Sequence, residues 1–341
     1  MRGIAIMAIM LHNYCHFLNG IVRENEYLWK VNNVNRLWYY LQHPSDLLPI
    51  HLFSFFGHYG VPVFLFLSGF GLVMKYERGG TVSVGIWKFI RYNYLKLFRI
   101  FIVGFVAFTI IDAITPGTHR YEWLHVLGML GMFSNLLEHP AQVIWPGPYW
   151  YFGLTLQLYI VYRLFFYRWR HWTLVALLIL LCWLWQEAYV NDAVMLERLR
   201  YNCVGGMLPF GLGVLVARYQ DVCFAVRQHF LLWVAVLLLS ALLIVIMSFQ
   251  LQAWFWVPVL IVTGTIALVK VLPASVVQIC VWLGGISAAI FVSHPILRKV
   301  FIRFYGQGDI YAGLLLYIVA AVFVAWLFMQ IVNRIPKPSE K

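Results

Sequence analysis

Residues 230–249 read Phe-Leu-Leu-Trp-Val-Ala-Val-Leu-Leu-Leu-Ser-Ala-Leu-Leu-Ile-Val-Ile-Met-Ser-Phe, without one charged side chain. A helix rises about 1.5 Å per residue, so some 20 such residues cross the ~30 Å hydrocarbon core of a bilayer. Apolar runs of comparable length recur near 3–20, 50–74, 95–114, 148–167, 172–190, 202–218, 253–271, 276–297 and 309–333. In lipid, backbone groups find partners only within a helix or a closed barrel, and the strand alternation of a barrel is missing. The chain therefore reads as an all-α integral membrane protein with about ten transmembrane helices. Composition agrees: 62% of the 341 residues are hydrophobic and 11% charged, where soluble domains carry about a quarter charged.

Charge orients the spans. With both termini cytoplasmic, most of the 25 basic residues fall inside, including Arg2, Lys88, Arg91, Lys96, Arg99, Arg163, Arg168, Arg170, Arg218, Arg227 and Lys341, as the positive-inside rule requires. This bookkeeping makes 121–137 a re-entrant or interfacial segment rather than a crossing. Arg298, Lys299 and Arg303 break the rule. The loop 21–49, with Trp29, Trp38, Tyr39 and Tyr40, reads as an outer segment lying on the bilayer. The net charge of +12 fits cytoplasmic loops against anionic lipid, not nucleic acid. No linker or repeat divides residues 1–335, so they read as one domain, with 336–341 a short polar tail. The first run reads as an uncleaved span. Cys15, Cys182, Cys203, Cys223 and Cys280 form no CxxC pair and read as small core residues; no metal set is expected.

The run 2–16 carries what lipid tolerates least. Arg2 opens it, and His12 and His16, four apart, share a helix face. Ionisable groups at membrane depth usually mark a pathway or a site, and imidazole suits proton transfer near neutral pH. Lys88, Arg91, Lys96 and Arg99 line a helix entering from the cytoplasm. They suit membrane anchoring by snorkelling or, functionally, a phosphate clamp. Ser68 lies in a kink-prone Val61–Gly71 stretch that reads first as packing, and His51 and His58 before it read as interfacial. Trp150, Gln157 and Tyr159 put polar and amphipathic groups inside a span. Ser287 and His294 mark another, where Pro295 frees a backbone carbonyl. Walker, GxSxG and HExxH patterns are absent, which removes support for phosphotransfer and for zinc or serine hydrolysis.

Four stretches in this order resemble the membrane acyltransferase 3 family. They are Arg2-Gly3-Ile4-Ala5 with a histidine further along the helix, Phe64-Leu65-Phe66-Leu67-Ser68-Gly69-Phe70, Trp150-Tyr151-Phe152 to Gln157-Leu158-Tyr159, and Ile286-Ser287 to His294-Pro295. The resemblance implies a ten-span enzyme of the cytoplasmic (inner) membrane. Its donor would be cytoplasmic acyl-CoA, often acetyl-CoA, and its acceptor a hydroxyl of a cell-surface or envelope polysaccharide or similar molecule. It also implies a histidine essential for transfer. The arginine-to-histidine spacing usual in that family lands here on Asn13, with His12 one residue earlier and His16 three later.

The expected mechanism places the donor's phosphates against Arg91, Lys96 and Arg99, with Arg2. His12 is the preferred base and His16 the second choice. Asn13, Ser68, Trp150, Gln157, Tyr159, Ser287 and His294 support the site or shape the acceptor pocket. Acyl-CoA is a substrate; no permanently bound cofactor is expected. Ten spans, intramembrane histidines and kinked helices also suit a small-solute transporter, and the displacement of the histidine also suits an inactive relative.

Overall fold

The structure, a computed structural model, describes residues 1–79, 84–167, 169–223, 229–304 and 308–339. Arg168, Arg227 and the last two residues of the tail lie outside the described residues. Among those described, the chain is helical and has no strand.

Helix α1 (Arg2–Cys15) is followed by a return segment, α2 (Val31–Gln42) and α3 (Leu48–Phe56). A 3-10 turn over Gly57–Tyr59 joins α3 to α4 (Gly60–Val73), and α5 (Ile86–Ile114) crosses next to it. The short helices α6 (Trp123–Leu130) and α7 (Pro140–Val143) precede α8 (Trp150–Val161) and α9 (Trp172–Ala188). Then come α10 (Ala193–Tyr201), α11 (Cys203–Arg218), α12 (Gln220–Cys223), α13 (Phe230–Ser248), α14 (Leu251–Trp254) and α15 (Val257–Val271). The chain closes with α16 (Ala274–Gly285), α17 (Ser287–Phe301) and α18 (Ile310–Arg334).

Burial sorts these helices into a core and a lipid-facing rim. In the continuous segment Leu48–Arg78, 61% of the apolar window is buried, against 6% for Phe230–Ser248. The central group is α1, α4, α11 and α17, with α3, α5 and α8 against them. Helices α4 and α11 cross backbone to backbone: a Cβ on Gly69 would strike the Phe210 carbonyl oxygen, and one on Gly213 would strike that of Phe66. Without a hydrophobic drive between helices in lipid, such small-residue crossings supply the contact.

Four segments are long and apolar enough to cross a bilayer, and two bent pairs bring this to six among the described residues. That is fewer than the apolar runs in the sequence, because several runs yield short helices. Helix α1 has 14 residues, α15 has 15 and α9 has 17. The run 121–137 gives the eight-residue α6, about 12 Å long and far short of a crossing.

Two departures matter for the site. The run 276–297 is not one straight helix: α16 and α17 meet at 72°. Gly284 and Gly285 end α16, and Ser287 Oγ bonds back to the Gly284 carbonyl at 2.8 Å. Helix α16 buries none of its residues, whereas α17 buries most of its own. The second departure is the segment 21–30. Instead of lying on the bilayer, it turns inward, burying Ile21, Val22 and Asn25. Only the amphipathic α2 beyond it keeps the exposed Trp38 and Tyr39.

Candidate active site

The site starts from α1, whose exposed start holds Arg2 and whose last turn holds His12. His12 is buried because α1 packs unusually close to the turn between α3 and α4. A Cβ on Gly57 would come within 2.5 Å of the Ala8 carbonyl oxygen, and one on Gly60 would strike that of Ala5. This approach delivers the Ser54 carbonyl to His12 Nδ1 at 2.7 Å and sets the His58 ring 5.6 Å from the His12 ring. Along α1, His16 Nδ1 lies 3.1 Å from His12 Nε2.

A turn at Gly20, whose φ of +79° needs a residue without a Cβ, sends the chain back over these rings. Ser54 Oγ donates to the Val22 carbonyl, and the Val22 N–H donates to His51 Nδ1 at 3.2 Å. Further on, Arg200 Nε donates to the Glu26 carbonyl at 2.9 Å and Trp254 Nε1 to that of Asn25 at 3.0 Å. Anchored this way, the return segment brings Glu24 Oε2 to 3.5 Å from His16 Nδ1. Burial, with the Glu24 carboxylate nearby, pushes the Glu26 carboxyl up to about 8, so it is protonated at neutral pH.

These groups line a cavity at the C-terminal end of α1, called outer below. Its walls include His12, Asn13, His16, Glu24, Glu26, His58 and Arg298, with an aromatic side made by Tyr27, Trp145, Trp150 and Tyr201. Tyr27 stacks on Tyr201 with ring centres 4.1 Å apart. Arg298 comes from α17, 285 residues from Asn13, and donates to Asn13 Oδ1 at 3.1 Å. Its guanidinium lies 4.0 Å from the Phe17 ring centre. It is 7% exposed, and among the described residues no carboxylate pairs with it. Lys299 beside it is neutralised by Asp112.

A second cavity, toward the N-terminal end of α1 and called inner below, is lined by Arg2, Lys96, Ser68, Thr155, Tyr159 and Ser287 among apolar groups. The Tyr151 and Tyr159 hydroxyls face Ser68. Ile9, Tyr151 and Phe291 line both cavities. The two spaces are therefore neighbours across three side chains, with imidazoles on one side and two cations on the other.

The residues singled out in the sequence thus divide. The outer cavity gathers His12, Asn13, His16 and Trp150; the inner one gathers Arg2, Lys96, Ser68, Tyr159 and Ser287. Arg99 turns away and donates to the Val332 carbonyl, and Arg91 is exposed outside both linings. Gln157 lies outside both linings: its amide nitrogen donates to Asn202 Oδ1 at 2.7 Å and its oxygen accepts the Cys203 N–H at 2.9 Å, pinning α8 to the start of α11. His294 is fully buried behind the cavity wall, with Nδ1 at 3.1 Å from the Ile290 carbonyl. Sequence reasoning missed Glu24, Ser54, Ile9 and Phe291. Arg298 carried a signal as a misplaced positive charge, and His58 was visible but read as interfacial.

The described residues thus form a helical membrane protein with an imidazole pair on one cavity and two cations on its neighbour. A family model described as an acyltransferase domain matches residues 1–330. The chain belongs to this family, the membrane acyltransferase 3 family, and is a multi-pass membrane acyltransferase. No curated protein and no solved structure gave a match.

Proposed function

We propose that the protein moves an acyl group, acetyl in the first instance, from cytoplasmic acyl-CoA to a hydroxyl of an envelope glycan, in the cell's inner membrane. One observation carries this reading: the histidine cavity and the Arg2–Lys96 cavity abut at Ile9, Tyr151 and Phe291. The donor's phosphates sit against Arg2 and Lys96, and its thioester arm reaches past the three shared side chains. The aromatic side of the outer cavity suits a sugar ring, and Arg298 suits an anionic acceptor.

Hydrogen bonding supports an order of roles within the imidazole pair. A backbone carbonyl only accepts, so the bond to Ser54 puts the hydrogen on His12 Nδ1 and leaves Nε2 as an acceptor. His12 Nε2 then accepts from His16 Nδ1–H. The free lone pair of the chain is His16 Nε2. His16 is also the reachable ring, with 19% of its side chain exposed against 2% for His12 as a residue. In this reading His16 takes the proton and His12 positions it, the reverse of the order preferred from sequence.

The acceptor O–H proton passes to His16 Nε2 as the oxygen attacks the thioester carbonyl. The tetrahedral intermediate collapses, the C–S bond breaks, and the CoA sulfur takes the proton back. Glu24 beside His16 Nδ1 stabilises the transient imidazolium. Confinement of both substrates supplies proximity.

The test is release of free CoA from acetyl-CoA by the purified protein in nanodiscs, with and without extracted envelope glycan. His16→Ala and His12→Ala should each lose about 10²–10⁴-fold, the range for general-base catalysis. Wild-type turnover in both variants would sink the proposal, as would solute flux without acyl turnover.

A further inference from the structure

The sequence suggests no metal-ligand set, yet three ligand atoms converge in the outer cavity. His12, His16 and Glu24 each offer one ligand atom, and the three atoms lie within 4.8 Å of one another. We propose that they form a binding site for a borderline divalent transition metal of the Zn²⁺ type, and that the metal switches the transferase off.

The donor set is of the His2Glu kind that holds zinc with one position left open. With bonds of about 2.0–2.1 Å, neighbouring ligand atoms of a tetrahedral site stand roughly 3.3 Å apart. His12 Nε2 to His16 Nδ1 is 3.1 Å, and His16 Nδ1 to Glu24 Oε2 is 3.5 Å. Binding replaces the hydrogen bond between the rings, so the His16 ring turns to aim Nδ1 at the metal, and the Glu24 side chain rotates to close the remaining edge. That oxygen is buried and makes no hydrogen bond, so the rotation breaks none. His12 is already prepared as a ligand: its Nδ1–H is held by the Ser54 carbonyl at 2.7 Å, the outer partner that fixes tautomer and ring orientation in metal-bound histidines. The open position faces the cavity, where water or an acceptor hydroxyl completes the shell.

The inhibition follows from tautomers and rests on the proposed function. Without metal, His16 carries its hydrogen on Nδ1 and offers Nε2 as the base. A metal at Nδ1 displaces that hydrogen, and the neutral ligated ring carries its hydrogen on Nε2 instead. The lone pair that takes the acceptor's proton is then gone.

Co²⁺ titration of the purified full-length protein in nanodiscs tests the site apart from catalysis. Wild type should bind one equivalent with the intense visible bands of a tetrahedral ion, and Zn²⁺ should displace it. His16→Ala should abolish the bands. Glu24→Gln, which lies off α1 and leaves its packing intact, should weaken binding by more than the about 10–100-fold that loss of an outer-shell partner costs. Absent bands in wild type, or wild-type affinity in both variants, overturns the site. In the activity arm, Zn²⁺ should stop CoA release and a chelator should restore it, with Glu24→Gln needing correspondingly more Zn²⁺. Binding with no effect on turnover overturns the switch and leaves the site. A protein that binds metal but never releases CoA fails the functional reading instead.

Discussion

At the outer cavity, the polar groups hold one another: Ser54 fixes His12, His12 orients His16, and Asn13 holds Arg298. At the inner cavity, Arg2 and Lys96 stand at exposed positions on their helices, over a lining of aromatic and small residues. Under the proposed function, the difference matches what each end has to do. Proton transfer needs a tautomer and a direction fixed before substrate arrives. Holding a polyphosphate needs only positive charge within reach, which tolerates mobile side chains and screening by salt. Errors at the two ends should therefore be read in different kinetic constants.

The largest effect should come from His16→Ala, which removes the proposed base: a loss of about 10²–10⁴-fold in kcat with the acyl-CoA KM nearly unchanged. An equal change in both constants would mean that the histidine chain also binds the donor.

Next is the boundary. Ile9→Trp should fill the space between the cavities and misplace the thioester, costing on the order of 10²-fold in transfer. Acyl-CoA binding, measured by calorimetry, should persist. Loss of binding as well would show that the donor occupies the outer cavity too.

The inner end should respond more gently. Arg2→Ala with Lys96→Ala should raise the acyl-CoA KM by roughly tenfold, since exposed charges contribute about 0.2–1 kcal/mol each, and the effect should shrink at high salt. Arg99→Ala should leave KM alone and lower thermal stability instead, because its guanidinium bonds the Val332 carbonyl. A KM effect in Arg99→Ala would move the donor site along α5.

The smallest effect concerns Glu26. Its carboxyl is raised to about 8 in the folded protein, so the fold favours the protonated form. That contribution to stability is complete at acidic pH and is lost as pH rises through about 8. Glu26→Gln mimics the protonated acid, so it should keep activity within about twofold and flatten the decline of Tm with rising pH. A Tm that falls equally in both proteins would show that another group drives the decline.

Much of the site was legible because its residues belong to α1 or were conspicuous in lipid. The i, i+4 spacing of His12 and His16 survives in any helix, and Arg2 and Lys96 declared themselves as cations beside apolar runs. The clamp role of Arg91 and Arg99 was not decidable from spacing, since the direction of a long side chain depends on neighbours such as the Val332 carbonyl. Gln157 stood out because it is polar within a span; its partners, Asn202 and Cys203 at the start of α11, were not legible from the sequence.

What the sequence by itself determined is the solvent and the secondary structure. Long apolar runs can satisfy their backbone in lipid only as helices. The tertiary structure alone decided which cavity each polar group enters. Glu24 sits in a segment that reads as surface and is folded inward by Gly20, Ser54 and His51. Arg298 reaches Asn13 only because α16 and α17 bend apart at Ile286. Such meetings join residues far apart in the chain, and local pattern carries no record of them: periodicity reports which face of a helix is apolar, not which helix comes to rest against it.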